Sequence, residues 1–404
     1  MEIEKIEEVK EIENKKSFLN VHPDVLKLGV VSFFTDVSSE AIFSVFSIFF
    51  TIVVGASTAL LGLVEGIADF SASSLDYLAG WLSDRSGKRK RLTLIGYGFS
   101  TLAKISLFVA TSVTALASFR VIERLGKSFR GAPRDAWLSS VAGESNRGYS
   151  FGVHKALDKA GAVLGPLVAY ALLSLLGQKI GTFKILFTFA VIMAALAVIV
   201  LCFMKDRPGI PHKRENIFKA WGTLNKGFKF YLIPAGIFSL AYFSFGFLLL
   251  RAYTIGFAIK DVVLLYALFN IAFVIVSAPI GKLGDLIGRK TIIIFGYLIY
   301  ILMSIGFIFA TEKWQIIILF ILFGIFYSID EAQNKAFISD MEKERRATAI
   351  GMYNFVTGLI YLPASIIAGI LWTLHPTYAF LFAGIIAFIA MGTFFGLKKK
   401  FFTK

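Results

Sequence analysis

Apolar residues in this chain come in runs of roughly twenty, broken by short polar gaps, from residue 25 almost to the end. A helix of about twenty residues spans the ~30 Å hydrocarbon core of a bilayer. The pattern therefore predicts twelve spans, over 25–53, 56–83, 92–111, 114–137, 148–176, 185–204, 230–255, 261–282, 291–310, 315–338, 347–372 and 377–397. The fold class is an all-α membrane protein. Composition agrees, with 56% hydrophobic residues and only 17% charged ones. A soluble fold would have to expose much of that apolar surface to water.

A formal charge of +15 invites a nucleic-acid reading, but its distribution removes the need for one. Lys and Arg crowd the N-terminus, 84–91, 134–147, 205–229, 282–290, 335–346 and the tail, all on one side of twelve alternating spans. The opposite gaps carry Lys179, Lys184, Lys260 and Lys313. Positive loops stay in the cytoplasm, so both termini are expected there and the protein in the inner (cytoplasmic) membrane. Residues 1–24, rich in Glu and Lys, read as a solvated arm with no cleavable signal peptide. The single cysteine, Cys202, has no internal disulfide partner and reads as packing.

The chain repeats itself. Gly80-Trp81-Leu82-Ser83-Asp84-Arg85-Ser86-Gly87-Lys88-Arg89 returns 201 residues later as Gly281-Lys282-Leu283-Gly284-Asp285-Leu286-Ile287-Gly288-Arg289-Lys290. Arg147-Gly148-Tyr149-Ser150-Phe151-Gly152 returns after 199 residues as Arg346-Ala347-Thr348-Ala349-Ile350-Gly351. Two matches near one offset, close to half the length, predict two pseudo-symmetric six-helix bundles, 25–204 and 230–397. A basic linker, 205–229, joins them, and a tail, 398–404, follows. Parallel six-helix repeats with a path between them suit a transporter that rocks one half against the other.

The stretch Gly80–Arg89, with its Asp84-Arg85-Ser86-Gly87-Lys88 centre, resembles the signature loop of the major facilitator superfamily. The copy containing Asp285, Gly288 and Arg289 resembles it less fully. In the fifth span, Gly152, Gly161, Gly165 and Pro166 resemble that superfamily's antiporter pattern, although Ala169 and Tyr170 stand where two more glycines are usual. The resemblance covers nearly the whole chain. It implies a monomeric solute transporter whose loop gates the conformational change. At the membrane edge, Asp84 is expected against the N-terminus of a helix of the other half, the eleventh, whose dipole favours a carboxylate. The resemblance also implies that the fifth-span glycines pack helices closely, and it points to proton-driven export. Independently, Gly87 suits a turn with positive φ, and Asp135 suits bracing the basic edge.

Charges inside the spans are costly in lipid, so they are expected to pair or to line a wet cavity. Asp36 and Glu40 share one face of the first span, and Arg120, Arg124, Lys127 and Arg134 run as a stripe along the fourth. His154 and Asp158 share a face of the fifth, as do Lys155 and Lys159. Asp36, Glu40, Asp158 and Arg120 are the proton-coupling candidates. The cavity candidates are Arg124, Lys127, Glu123, His154, Lys155, Arg251 and Asp330. Glu65, Asp69 and Asp76 read instead as caps, interhelix pairs or headgroup-facing groups. Phenylalanine is so abundant that the aromatic run Tyr242–Phe247 reads first as packing.

Catalytic and cofactor signals are missing. Gly126-Lys127-Ser128 ends like a phosphate loop whose first glycine is replaced by Val121, and the four histidines lack metal-ligand spacing. The expectation is therefore a transporter without cofactor or metal, moving a small solute together with protons. Export of a drug-like or metabolic compound leads over uptake or exchange of an organic anion or phosphate, which the fourth-span arginines would suit. A non-transporting sensor is the remaining reading.

Overall fold

A computed structural model describes residues 21–108, 112–142, 146–206, 221–343 and 345–401. Residues 1–20 of the expected arm over 1–24, most of the linker and the last three residues of the tail lie outside the described residues, and the first helix already begins at Pro23. Helices occupy all twelve predicted positions. The first six spans are Pro23–Ile48, Thr58–Ser74 with Asp76–Ser86, Arg89–Ile105, Val113–Val141, Arg147–Leu176 and Ile180–Phe203. The second six are Lys226–Ala241 with Gly246–Thr254, Ile259–Ile287, Arg289–Phe309, Lys313–Met341, Arg346–Leu374 and Pro376–Leu397. Their alternating directions bring both ends of the described chain to one face, called here the terminal face.

Local chemistry sets the helix ends. Ser57 and Ser112 cap the second and fourth spans by accepting from Leu60 and Ala115 N–H, each at 3.2 Å. Proline opens the first and twelfth spans, where its missing N–H costs nothing. Gly87 ends the second span in the left-handed region at φ 65°, as expected from its place in the loop.

Among the described residues, nine helices are long and apolar enough to cross a membrane. The second, third and fourth spans complete the twelve. The second is interrupted at Leu75, the third is short, and the fourth carries the basic stripe. Apolar side chains face outward, Leu102, Leu175 and Phe203 being 64, 82 and 85% exposed, as a lipid-facing surface requires.

The first span continues into a π-helical turn, Phe49–Val53, which supplies a distortion without proline. The seventh was expected as one helix; instead it breaks at Tyr242–Phe245. The Tyr300 hydroxyl donates to the freed Ala241 carbonyl at 2.7 Å, and the Ser244 hydroxyl accepts from Gly246 N–H at 3.2 Å. Those bonds make irregular backbone tolerable at membrane depth.

Within the first six spans, the first packs on the fifth and sixth, and the third on the fourth. Within the second six, the eighth packs on the tenth, and the ninth on the tenth and twelfth. Between the groups, the second meets the eleventh and the fifth meets the eighth. Gly161 and Gly165 lie directly on the first span, where an added Cβ would sit 3.2 Å from Asp36 Cβ and 2.8 Å from Ala41 N. Gly152, expected to pack likewise, has open space beside it. Cys202 is exposed rather than packed.

Candidate functional site

A cavity of about 510 Å³ lies between the two groups of six. The first span presents Asp36 and Glu40 to it, the fourth Arg120, Arg124 and Lys127, and the fifth Lys155, Asp158 and Lys159. Asp330 of the tenth span also lines it and accepts from Asn334 Nδ2 at 2.7 Å. The opposing wall is aromatic and hydroxylated, built by the broken segment of the seventh span together with Tyr266, Phe269, Tyr327 and Tyr361.

A bidentate ion pair joins residues that the sequence kept apart. Arg120 donates through Nε and Nη2 to the two carboxylate oxygens of Glu65, each at 2.7 Å. Glu65 was expected outside the site. It is buried, lines the cavity, and accepts a further bond from the Ser244 hydroxyl at 3.1 Å. Asp69, also expected outside, lines the cavity 3.8 Å from Arg124. The missed signal was register: on the second span Glu65 and Asp69 are four residues apart, like Asp36 and Glu40 on the first.

A second contact crosses between the halves, with the Tyr266 hydroxyl donating to Glu40. Asp158 accepts from Lys155 at 3.3 Å and lies 4.0 Å from Arg134, whose Nε donates to Asp135 at 3.0 Å. Lys159 stands 4.3 Å from the centre of the Phe273 ring. Asp36 and Lys127 differ from all of these. Neither has an ion pair or hydrogen bond among the described residues, although each has the other, and Glu40, as a charged neighbour.

Three cavity candidates lie elsewhere. Glu123 is buried behind the first span, accepting from Ser39 and Ser100 at 3.3 and 3.2 Å, while Lys104 donates to Ser39 at 2.9 Å. His154 is buried against Ser32, its Nε2 3.0 Å from the hydroxyl. Arg251 donates to the carbonyls of Phe307 and Ala310 at 3.0 and 3.1 Å, capping the C-terminal end of the ninth helix. A one-dimensional pattern places a residue on a helix, but not which neighbour that face meets.

The signature loops lie on the terminal face. Gly80 is buried, and Arg85 stacks on Trp81 at 5.1 Å. In the second copy Arg289 holds both Asp285 and Asp340, at 2.9 and 2.7 Å, and Gly288 turns at φ 92°. Tyr77 of the second span meets Gly351 near the start of the eleventh.

On the opposite face the halves are shut. Gln178 accepts from Ile259 N–H at 2.9 Å, Ser47 lies against Gly246, and Gly62 lies against Gly369.

Twelve spans around a charged central cavity, sealed on one face, define a membrane transporter for a small solute rather than an enzyme. The model of the Major Facilitator Superfamily matches residues 28–263 and 235–401, and the chain belongs to that superfamily. It is 34% identical over 395 residues to an uncharacterised MFS-type transporter of Methanocaldococcus jannaschii, covering 96% of this chain and 98% of that one. It is 23% identical over 355 residues to multidrug resistance protein 2 of Bacillus subtilis, covering 83% and 86%. Its fold is also that of the solved nucleoside transporter NupG, with a TM-score of 0.77, 15% identity, and 92% and 99% of the chains covered.

Proposed function

We propose that the chain is a proton-coupled exporter of a small organic compound, alternating between states open to either side of the cytoplasmic membrane, with both termini in the cytoplasm. The observation that carries this reading is Asp36, a carboxylate that lines a cavity at membrane depth with no bonded partner among the described residues. A fixed ion pair would hold such a group ionised, whereas an unpaired one beside Glu40, Asp158 and Lys127 is free to take up and release a proton. Protonation removes a charge that Lys127 and Lys159 otherwise feel, and so changes what the cavity binds. Asp158, tied to Lys155, and Glu40, tied to Tyr266, would follow when those bonds break. The likeness to a multidrug resistance protein and the fifth-span glycine pattern support the outward direction.

Proteoliposomes with an imposed pH gradient and a trapped pH dye would test this against a metabolite and drug library. Solute movement with opposite proton movement is expected, lost on combining Asp36→Asn, Glu40→Gln and Asp158→Asn. Gradient-driven flux that survives the triple substitution would sink the proposal. Flux that needs a trapped anion and moves no protons would make the protein an anion exchanger, with Lys127 and Arg124 as the binding groups.

A further inference from the structure

We infer that the groove between the fifth span and the eighth and tenth spans is a lateral portal, through which a single-chain anionic amphiphile enters the cavity from the bilayer. The groove holds about 600 Å³ and is lined by small side chains: Gly152 and Ala156 on the fifth span, Ser277 and Ala278 on the eighth, and Ser328 and Ala332 on the tenth. Beside it Val274 and Ile275 are 42 and 67% exposed, so its outer edge borders the lipid-facing surface.

The groove adjoins the cavity, since Lys155, Lys159, Phe273, Glu331 and Lys335 line both. Among the described residues, the other seam between the halves is closely packed. Along the second and eleventh spans, Gly62 meets Gly369, Gly66 meets Leu362, Gly358 meets Ser73, and Gly351 meets Tyr77, so this seam is closed at the depth of the groove. A gap left simply by rocking the halves apart would open both seams. The difference marks the fifth-span side as an entrance.

Charge selects the occupant. Lys155 is held by Asp158 at 3.3 Å, and Lys335 by Glu331 at 3.7 Å. Lys159, over the Phe273 ring, and Lys127, deeper in, have no ion pair among the described residues. An apolar slot leading to two uncommitted ammonium groups fits one hydrocarbon chain with one carboxylate, sulfate or phosphate head. Both volumes fall within the ~300–1,000 Å³ of small-molecule sites, which suits one chain better than a two-chain lipid.

The inference rests on the cavity being the solute site but not on proton coupling, so its test imposes no gradient. The purified protein in vesicles would be photolabelled with a diazirine-bearing long-chain fatty acid, and separately with its uncharged methyl ester. Label from the acid should concentrate on 152–159 and 273–278 and reach 127. Lys127→Gln with Lys159→Gln should lower labelling of the cavity by about tenfold or more, the factor removed with one charge-assisted hydrogen bond of ~1.5 kcal/mol. Ala278→Trp, which leaves both lysines intact, should do the same by filling the slot. Equal labelling by acid and ester would mean that an ordinary lipid tail fills the groove and would overturn the proposal. Label spread evenly over all lipid-facing helices would overturn it as well. Labelling that holds in a protein moving no protons would leave the portal standing and remove only the coupling.

Discussion

Arg120 of the fourth span grips Glu65 of the second through two parallel 2.7 Å hydrogen bonds, and its guanidinium lies 4.1 Å from the centre of the Phe43 ring. The bidentate geometry and the aromatic face suit arginine and no other cation. Breaking a buried pair leaves an uncompensated charge, a loss of ~3–5 kcal/mol in soluble proteins. Glu65→Gln should therefore lower the thermal unfolding temperature in detergent clearly, and adding Arg120→Gln should recover part of the loss. Unfolding unchanged in the single variant would contradict this.

The halves are tied across the cavity by Tyr266 to Glu40 and by Ser244 to Glu65. Both bonds must break before the sealed face opens. A hydrogen bond to a charged group contributes ~1.5–3 kcal/mol, so Tyr266→Phe should raise the population open at that face by roughly ten- to a hundredfold. A cysteine placed at Gln178, in a chain with Cys202 replaced by alanine, would report this as faster alkylation. Equal rates with and without the tyrosine hydroxyl would count against it.

Lys104 is completely buried, with its ammonium 2.9 Å from the Ser39 hydroxyl that in turn donates to Glu123. This network lies off the cavity, so it holds the first, third and fourth spans together rather than binding solute. Lys104→Met or Glu123→Gln alone should reduce the yield of folded protein, while the two together should be tolerated better than either. A strictly additive double-mutant cycle would disprove the coupling.

Gly369 has no room for a side chain, since an added Cβ would lie 2.7 Å from the Thr58 carbonyl and 3.1 Å from Gly62 Cα. Gly369→Val should insert and fold but keep the second and eleventh spans from closing at the sealed face. Transport should be abolished while alkylation at that face rises. Wild-type flux in this variant would show that the seam tolerates separation.

Asp84 belongs to the signature loop on the terminal face, about two helical turns beyond Tyr77, which meets Gly351. We propose that it gates the return between states. Asp84→Asn should then slow turnover about tenfold, equivalent to ~1.4 kcal/mol on the barrier, with solute affinity held. Turnover equal to wild type would remove the gating role, and a fall in affinity would place Asp84 in binding instead.

Much of this architecture is legible in one dimension because the bilayer simplifies the physics. A lipid-embedded backbone must bond to itself, so each apolar run of sufficient length becomes a helix, and the repeat of Gly80–Arg89 at Gly281 marks the second half. Asp36, Glu40, Arg124, Lys127 and Asp158 stood out for the same reason, since charges are rare in spans, and the structure gathers them around one cavity. The signal could not separate Asp36 from Glu123. Both are acids in apolar helices, and only packing decides that one faces the cavity while the other is sealed behind Ser39 and Ser100.

The sequence by itself therefore determined the membrane, the helices, the two halves and the set of charged residues available for function, because these follow from solvation and from spacing along single helices. Tertiary structure alone decided that Arg120 is bound to Glu65, that the seventh span breaks at Tyr242–Phe245, and that a groove lies beside the fifth span while glycines of the second and eleventh spans pack closely. Each of these depends on which face of one helix meets which face of another, and that choice is made by side-chain volumes, such as Gly62 against Gly369, that come together only when the bundle closes.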